Sequence, residues 1–359
     1  MKKVLYYSLV DWDWIKQRPQ FLALGLAESG FNIRVIYLYQ YRRKNLKKVD
    51  PGNVLLRPIF RIPPLGHKFP LINKMNRWIV RQKIAREINV FQPDLLWLTH
   101  PSQLADIPDT FTGEILYDCM DDYDVLGTPT NKLESARKQE QLLCDRADII
   151  LVSSSLLQRK ICSRNPDKAS SIHLVRNGCV GELYNRTTHN HGSKIYAGYV
   201  GTIAEWFDFK LIMESLERVP ELEYFLIGPM GIKEPPAHER IHYIGTIAHD
   251  NLFDAIREMD CMVMPFQLVD IVLSVDPVKL YEYISWQKNI IAVDYREIDR
   301  FSDFVWTYTS VEDYCSILIK IGQLQTASYS EEEARCFLSD NSWKKRLEFI
   351  QQLLYQQKD

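Results

Sequence analysis

The chain has 359 residues, 46% of them hydrophobic and 25% charged, with a formal net charge of −2. That length exceeds the roughly 250 to 300 residues that one core usually serves, so two domains are expected, and the balanced composition excludes a disordered or low-complexity chain. Seven cysteines, an odd number with no C-x-x-C spacing, argue against a disulfide framework or a cysteine metal site and suit a reducing cytosol.

The N-terminal run "KVLYYSLV" fits a first strand better than a signal peptide, and no stretch approaches the roughly 20 apolar residues needed to span a bilayer. Further apolar runs follow in order: "NIRVIYL", "NVLLRPI", "DLLWLT", "EILYD", "DIILVSS" and "SIHLVRNG", with helical patterns between them. Such alternation predicts a mostly parallel sheet flanked by helices. Charge collects early in this half. Gln40 to Val90 holds 13 Lys or Arg against 2 acidic residues, a local +11 that leaves about −13 elsewhere. A polyanionic surface or an anionic membrane would answer that surplus, and so would a merely solvated basic face. Within it, Leu71, Ile72, Met75, Trp78, Ile79 and Ile88 form an apolar stripe beside Lys74, Arg77, Arg81, Lys83 and Arg86. This is the composition of an interfacial helix, and equally of a core helix with a basic outer face.

Near residue 180 the period lapses in "GCVGELYNRTTHNHGSK", which reads as a linker. A second series begins beyond it: "KIYAGYVG", "EYFLIGP", "RIHYIG", "DCMVMPF", "NIIAV" and "FVWTYTS". The expected domains are therefore 1–178 and 195–340, both α/β. A final helix, 341–357, carries Trp343, Leu347, Ile350 and Leu354 at helical spacing and needs a surface to pack on, which the first domain can offer. Two doubly wound domains facing a central cleft would gather ligands at the carboxyl ends of their strands. In "DPVKLYEYISWQKNIIAV", Asp276 is a candidate N-cap ahead of Pro277, Leu280 and Ile284 face a core, and Lys279 and Glu282 share another face. Free amides at such a helix start favour an anion.

Taken together, "WIKQRPQFLA", "YDCMDDYD", "LVRNG", "YVGTIAEWFD", "LIGP", "IHYIGTI", "LFDAIREMDCMVMPF" and "DPVKLYEYISWQKNIIAV" resemble the GT-B fold glycosyltransferases over nearly the whole chain. Within that fold the chain is similar to the family 4-like enzymes and the teichuronic acid biosynthesis group. The resemblance implies two Rossmann-like domains and sugar transfer from a nucleotide diphosphate donor, UDP- or GDP-linked, held by the C-terminal domain. It places Glu282 on the donor ribose, with Lys279, Gly201 and Thr202 near the diphosphate. The competing reading of Lys279 and Glu282 is an i,i+3 pair on a solvated face. Two positions depart from the family pattern: Ser274 stands where many retaining members hold a second donor-binding Glu, and Thr202 and Asp208 where they hold a basic pair, with Lys210 displaced nearby.

On the acceptor side, Trp12 and Trp14 can stack on sugar or lipid headgroup and Arg18 can grip phosphate, or they form a Trp-anchored loop with a surface Arg. Asp121 is the preferred group to orient or deprotonate the acceptor hydroxyl, Asp122 its rival, with one of the two expected to be a cap or ion-pair partner. His100 is a third candidate. The pairs Asp11/Asp13 and Asp122/Asp124 match a D-x-D metal pattern, but that pattern is frequent by chance, and GT-B chemistry requires no metal or other cofactor. The expected partners are the nucleotide-sugar, a lipid-linked glycan acceptor and an anionic membrane surface through residues 40–90, with no nucleic acid; the location is cytoplasmic, peripheral on the inner face of the membrane. An epimerase of the same fold and a non-catalytic binding subunit are the rival functions.

Overall fold

The computed structural model describes residues 2–13, 16–41, 48–62, 69–125, 133–187, 191–248, 251–324 and 326–356. The chain divides into two compact units, Met1–Asn177 with Trp343–Asp359, and Gly178–Ser342.

In the first unit, strands β1 (Lys3–Ser8), β2 (Asn32–Leu38), β3 (Leu55–Ile59), β4 (Leu95–Leu98), β5 (Glu114–Cys119), β6 (Ile149–Val152) and β7 (Ile172–Leu174) alternate with helices α1 (Arg18–Glu28), α2 (Pro70–Phe91), α3 (Leu133–Arg146) and α4 (Ser155–Arg164). The strands form one parallel sheet in the order β3-β2-β1-β4-β5-β6-β7. Both faces are covered by helices, so central strands such as β4 and β6 are buried at every residue and read as unbroken apolar runs. The edge strand β3 is partly exposed and tolerates Pro58, which has no N–H to donate. Alternation along β1 sends Val4 and Tyr6 into the core beneath α1, while Leu5 and Tyr7 enter the core beneath α2.

The second unit repeats the plan with β8 (Ile195–Val200), α5 (Phe209–Arg218), β9 (Leu222–Ile227), β10 (Ile241–Gly245), α6 (Leu252–Ile256), β11 (Cys261–Met264), α7 (Asp270–Ser274), α8 (Val278–Ser285), β12 (Asn289–Val293), β13 (Val305–Tyr308), α9 (Val311–Gly322) and α10 (Glu331–Asp340). Its parallel sheet runs β10-β9-β8-β11-β12-β13. In each sheet the order reverses beside the first strand of the unit, at β1/β4 and at β8/β11, and loops at the carboxyl ends there form the usual ligand position of an open α/β sheet. The stretch from 178 to 187 has no helix or strand, yet it is not a free linker. Tyr184 N donates to Ser285 O (2.9 Å) and Arg186 Nε to Gln287 Oε1 (2.7 Å), lacing it to the second unit.

The last helix, α11 (Trp343–Gln356), belongs to the first unit. Trp343 stacks on Phe21 of α1 at 5.0 Å, and Leu347 lies so close to Gly25 that a Cβ there would stand 2.1 Å from its Cδ1. A side chain at position 25 would have to push Leu347 aside, so glycine lets the two helices seat this leucine closely.

Candidate functional site

In the second unit, the switch point is built by close backbone contact. Gly201, just past β8, donates its N–H to Ile227 O (2.9 Å), and a Cβ on Gly228 would stand 1.9 Å from Gly201 O. The two strand ends therefore need glycine at 228, where φ is also +143°. Tyr283 of α8 reaches back to this point, its hydroxyl accepting from Val200 N at 3.0 Å. Helix α8 buries Leu280, Tyr281, Tyr283 and Ile284, leaving Lys279 and Glu282 on the outer face. Their Nζ and Oε2 are 2.9 Å apart and the side chains are 31% and 29% exposed. The pair anticipated as the plain alternative thus exists, and both members remain accessible to a ligand.

Several neighbours hold structural posts instead. Asp276 is not the helix cap: Pro277 occupies that position, and Asp276 lies fully buried in an ion pair with Arg300, whose Nη1 donates to the Tyr281 hydroxyl (2.6 Å). Ser274 is buried and donates to Ile271 O within its own short helix (3.0 Å), which removes its hydroxyl from an accessible donor face. Asp208 caps α5 by accepting from Leu211 N (3.1 Å), so a carboxylate at the site of a family cation has a local cause. Lys210 is 85% exposed and pairs only loosely with Glu214 at 3.7 Å. Thr202 is exposed, its carbonyl held by the Tyr199 hydroxyl at 2.9 Å.

In the first unit the segment after β5 carries the acidic cluster, and the structure separates its members. Asp118 is fully buried and takes Arg18 in a forked ion pair, with Nε–Oδ1 at 3.0 Å and Nη2–Oδ1 at 2.8 Å. Arg18 Nη1 also donates to Val175 O (2.7 Å). This corrects the expectation of a phosphate-gripping Arg18: the residue is 4% exposed and ties α1 to β5 and the end of β7. Asp122 is buried against Lys160 of α4 and accepts from Asp124 N (3.2 Å). Tyr123 donates to Thr99 O (2.7 Å), and Asp124 pairs with Arg137 at 3.1 Å and with Arg164. Three consecutive side chains are thus anchored. The carboxylate of Asp121 alone in this run has no hydrogen bond or ion pair among the described residues. Burial holds its pKa above the ordinary carboxylate value, the charge of Asp118 adds to that, and Arg18 opposes it.

His100, after β4, accepts from Ser102 N through Nδ1 (3.1 Å) and packs edge-on to Tyr123 at 4.5 Å. Burial lowers its pKa, so it serves as a neutral cap of the following turn. Trp12 is buried and donates Nε1–H to Val49 O (3.1 Å), which makes it core rather than a stacking surface. Trp14 lies outside the described residues. Both D-x-D pairs are engaged: Asp11 accepts from Gln40 N (2.7 Å) and Asp13 from Val49 N (3.2 Å), while Asp122 and Asp124 are ion-paired as above.

Helix α2 has two apolar faces. Val80, Ile84, Ile88 and Phe91 enter the core, so Ile88 leaves the anticipated surface stripe. Leu71, Met75 and Trp78 are 71%, 46% and 63% exposed, and Lys74, Arg77 and Arg81 are exposed beside them. No described helix is long and apolar enough to cross a membrane.

No protein-family model matches the chain. The chain is 22% identical over 315 residues to the "Putative teichuronic acid biosynthesis glycosyltransferase TuaH" of Bacillus subtilis (strain 168), covering 80% of this chain and 79% of that protein. Among solved structures it resembles a variant of S. aureus TarM in complex with Fondaparinux, alpha-GlcNAc-glycerol and UDP (TM-score 0.72, 9% identity, 98% of this chain and 99% of that one). It also resembles Anabaena HepE in complex with UDP-glucose (TM-score 0.63, 12% identity, 99% and 100%) and the lipopolysaccharide outer core galactosyltransferase WaaB (TM-score 0.63, 13% identity, 96% and 98%). The fold is GT-B. The sequence relative and the WaaB neighbour are both named as sugar transferases, and the class is glycosyltransferase.

Proposed function

We propose that the chain transfers a sugar from a UDP- or GDP-linked donor to a lipid-linked or polysaccharide acceptor during synthesis of a cell-surface glycan. The observation that supports this reading is the second unit's switch point, where Tyr283 ties α8 to Val200, the residue before Gly201 and Thr202, while the Lys279–Glu282 pair of the same helix stays accessible. The complexes of HepE with UDP-glucose and of TarM with UDP support a nucleotide-sugar as donor.

In this reading Glu282 leaves Lys279 to accept from the ribose hydroxyls, while Lys279 and the first amides of α8 offset the charge of the diphosphate as it departs. No metal or other cofactor is invoked. In the first unit, Asp121 takes the proton of the acceptor hydroxyl; a carboxylate with a raised pKa and no hydrogen-bond or ion-pair partner among the described residues is suited to that task. The exposed Leu71, Met75 and Trp78, flanked by Lys74, Arg77 and Arg81, would rest the enzyme on the inner face of an anionic membrane. Each engaged cation is worth about 1 kcal/mol there. Co-sedimentation with phosphatidylglycerol vesicles should therefore fall with salt and with Lys74, Arg77 and Arg81 changed to Ser; indifference to both would remove the membrane from the reading.

Mass spectrometry of products from a panel of sugar nucleotides, with and without acceptor lipid, tests the transfer itself. Acceptor-dependent appearance of a glycosylated lipid is the expected result. Free sugar and nucleotide without acceptor would indicate an epimerase, and donor binding with no turnover a non-catalytic subunit.

A further inference from the structure

Helix α8 begins on a residue that cannot cap it. Pro277 stands at the N-cap and offers no side-chain acceptor to the amides of the first turn. One residue earlier is a group that could do so, and the structure keeps it elsewhere: the Asp276 carboxylate is fully buried in its ion pair with Arg300. The guanidinium that holds it is itself held. Arg300 lies on the 3-10 turn Arg296–Phe301 after β12, packs over the Phe301 ring at 4.1 Å and the Tyr281 ring at 5.0 Å, and donates from Nη1 to the Tyr281 hydroxyl (2.6 Å). Both rings are buried and meet edge-on at 5.2 Å, so the direction of the Arg300 side chain is set by packing.

A pair buried to this degree adds little net stability, because desolvation offsets most of its attraction. Its position gives it another use. An aspartate at the head of a helix ordinarily accepts from the amides of the first turn and sets a negative charge against the positive end of the dipole. Both effects oppose a diphosphate there, which needs the same amides and is repelled by the same charge. We infer that Arg300 is a positioning residue for the donor: it sequesters Asp276 and so leaves the first amides of α8 open to the diphosphate. The inference rests on the donor site proposed above and adds the device that keeps that site fit for an anion.

The test is titration of the full chain with UDP by calorimetry and with uridine by ligand-observed NMR, with unfolding free energies measured alongside. Arg300→Gln should weaken UDP by about tenfold or more and leave uridine, which has no phosphate, within about twofold of wild type. Adding Asp276→Asn to Arg300→Gln should restore UDP to within about threefold, because the released side chain no longer carries a charge. Pro277→Asp installs a capping carboxylate without touching Arg300; it should fold and still bind UDP about tenfold more weakly, and it decides the matter where Arg300→Gln does not fold. Unchanged UDP affinity in folded Arg300→Gln, or in Pro277→Asp, would overturn the inference. Equal weakening of UDP and uridine in Arg300→Gln would overturn it too, since that is the signature of a purely structural tie. Wild-type protein that binds neither UDP nor GDP would strike the donor reading instead.

Discussion

Each unit presents a cation–carboxylate pair at a helix beside its first strand, and the two differ in one property. Arg18 and Asp118 in the first unit are 4% and 0% exposed; Lys279 and Glu282 in the second are 31% and 29% exposed. A buried pair has no room for a ligand and becomes a structural clamp, since either partner left alone would be an uncompensated buried charge. An accessible pair gains little from its own attraction, so its members can be given up to a substrate at small cost. Position near a helix start therefore singles out Arg18 and the Lys279–Glu282 pair alike, and burial decides which of them is free to act.

The largest effect expected from this contrast is on stability. Arg18→Ala should cost about 3 to 5 kcal/mol by denaturant unfolding, because Asp118 would remain buried without its partner. A loss below about 1 kcal/mol accompanied by weaker acceptor binding would return Arg18 to the role of phosphate contact. Asp121 sharpens the comparison from the other side. Its folded pKa lies above the unfolded value, so its contribution to stability is present at low pH and lost as pH rises through the folded value. Asp121→Asn should therefore leave the fold no weaker at neutral pH, while reducing turnover by at least about 10²-fold with donor affinity unchanged. Wild-type turnover should decline as pH falls through that raised value. Unfolding data showing the same damage as Arg18→Ala would make Asp121 a structural residue. The smallest effect belongs to Lys210, whose exposed, loose contact with Glu214 predicts a change within about 0.5 kcal/mol on Lys210→Ala, and no change in donor affinity. A tenfold loss of donor affinity would restore it as a diphosphate cation.

The fold was legible because buried parallel strands are contiguous apolar runs: all thirteen strands among the described residues coincide with runs visible in the sequence. What escaped was pairing at a distance. Arg18 meets Asp118 across 100 positions, Arg300 meets Asp276 across 24, and Lys160 meets Asp122 across 38. Local rules therefore gave Asp276 to a helix cap and could not rank Asp122 against Asp121, since nothing in "YDCMDDYD" reveals that α4 supplies a lysine to one of them. Helix α2 shows a related limit. Its two apolar faces are both spaced for a helix, and only the sheet beneath it settles that Val80, Ile84 and Ile88 turn inward while Leu71, Met75 and Trp78 turn out.

The most direct test of the account is calorimetric titration of a UDP-sugar into wild type, Glu282→Ala and Arg18→Lys under conditions where all three are folded. Glu282→Ala should lose about 1.5 to 3 kcal/mol of donor affinity, the range for hydrogen bonds to a charged group, while its unfolding free energy stays within about 0.5 kcal/mol of wild type. Arg18→Lys should bind the donor normally and lose stability. Unchanged donor affinity in folded Glu282→Ala would contradict the account and leave the Lys279–Glu282 pair as nothing more than a solvated ion pair.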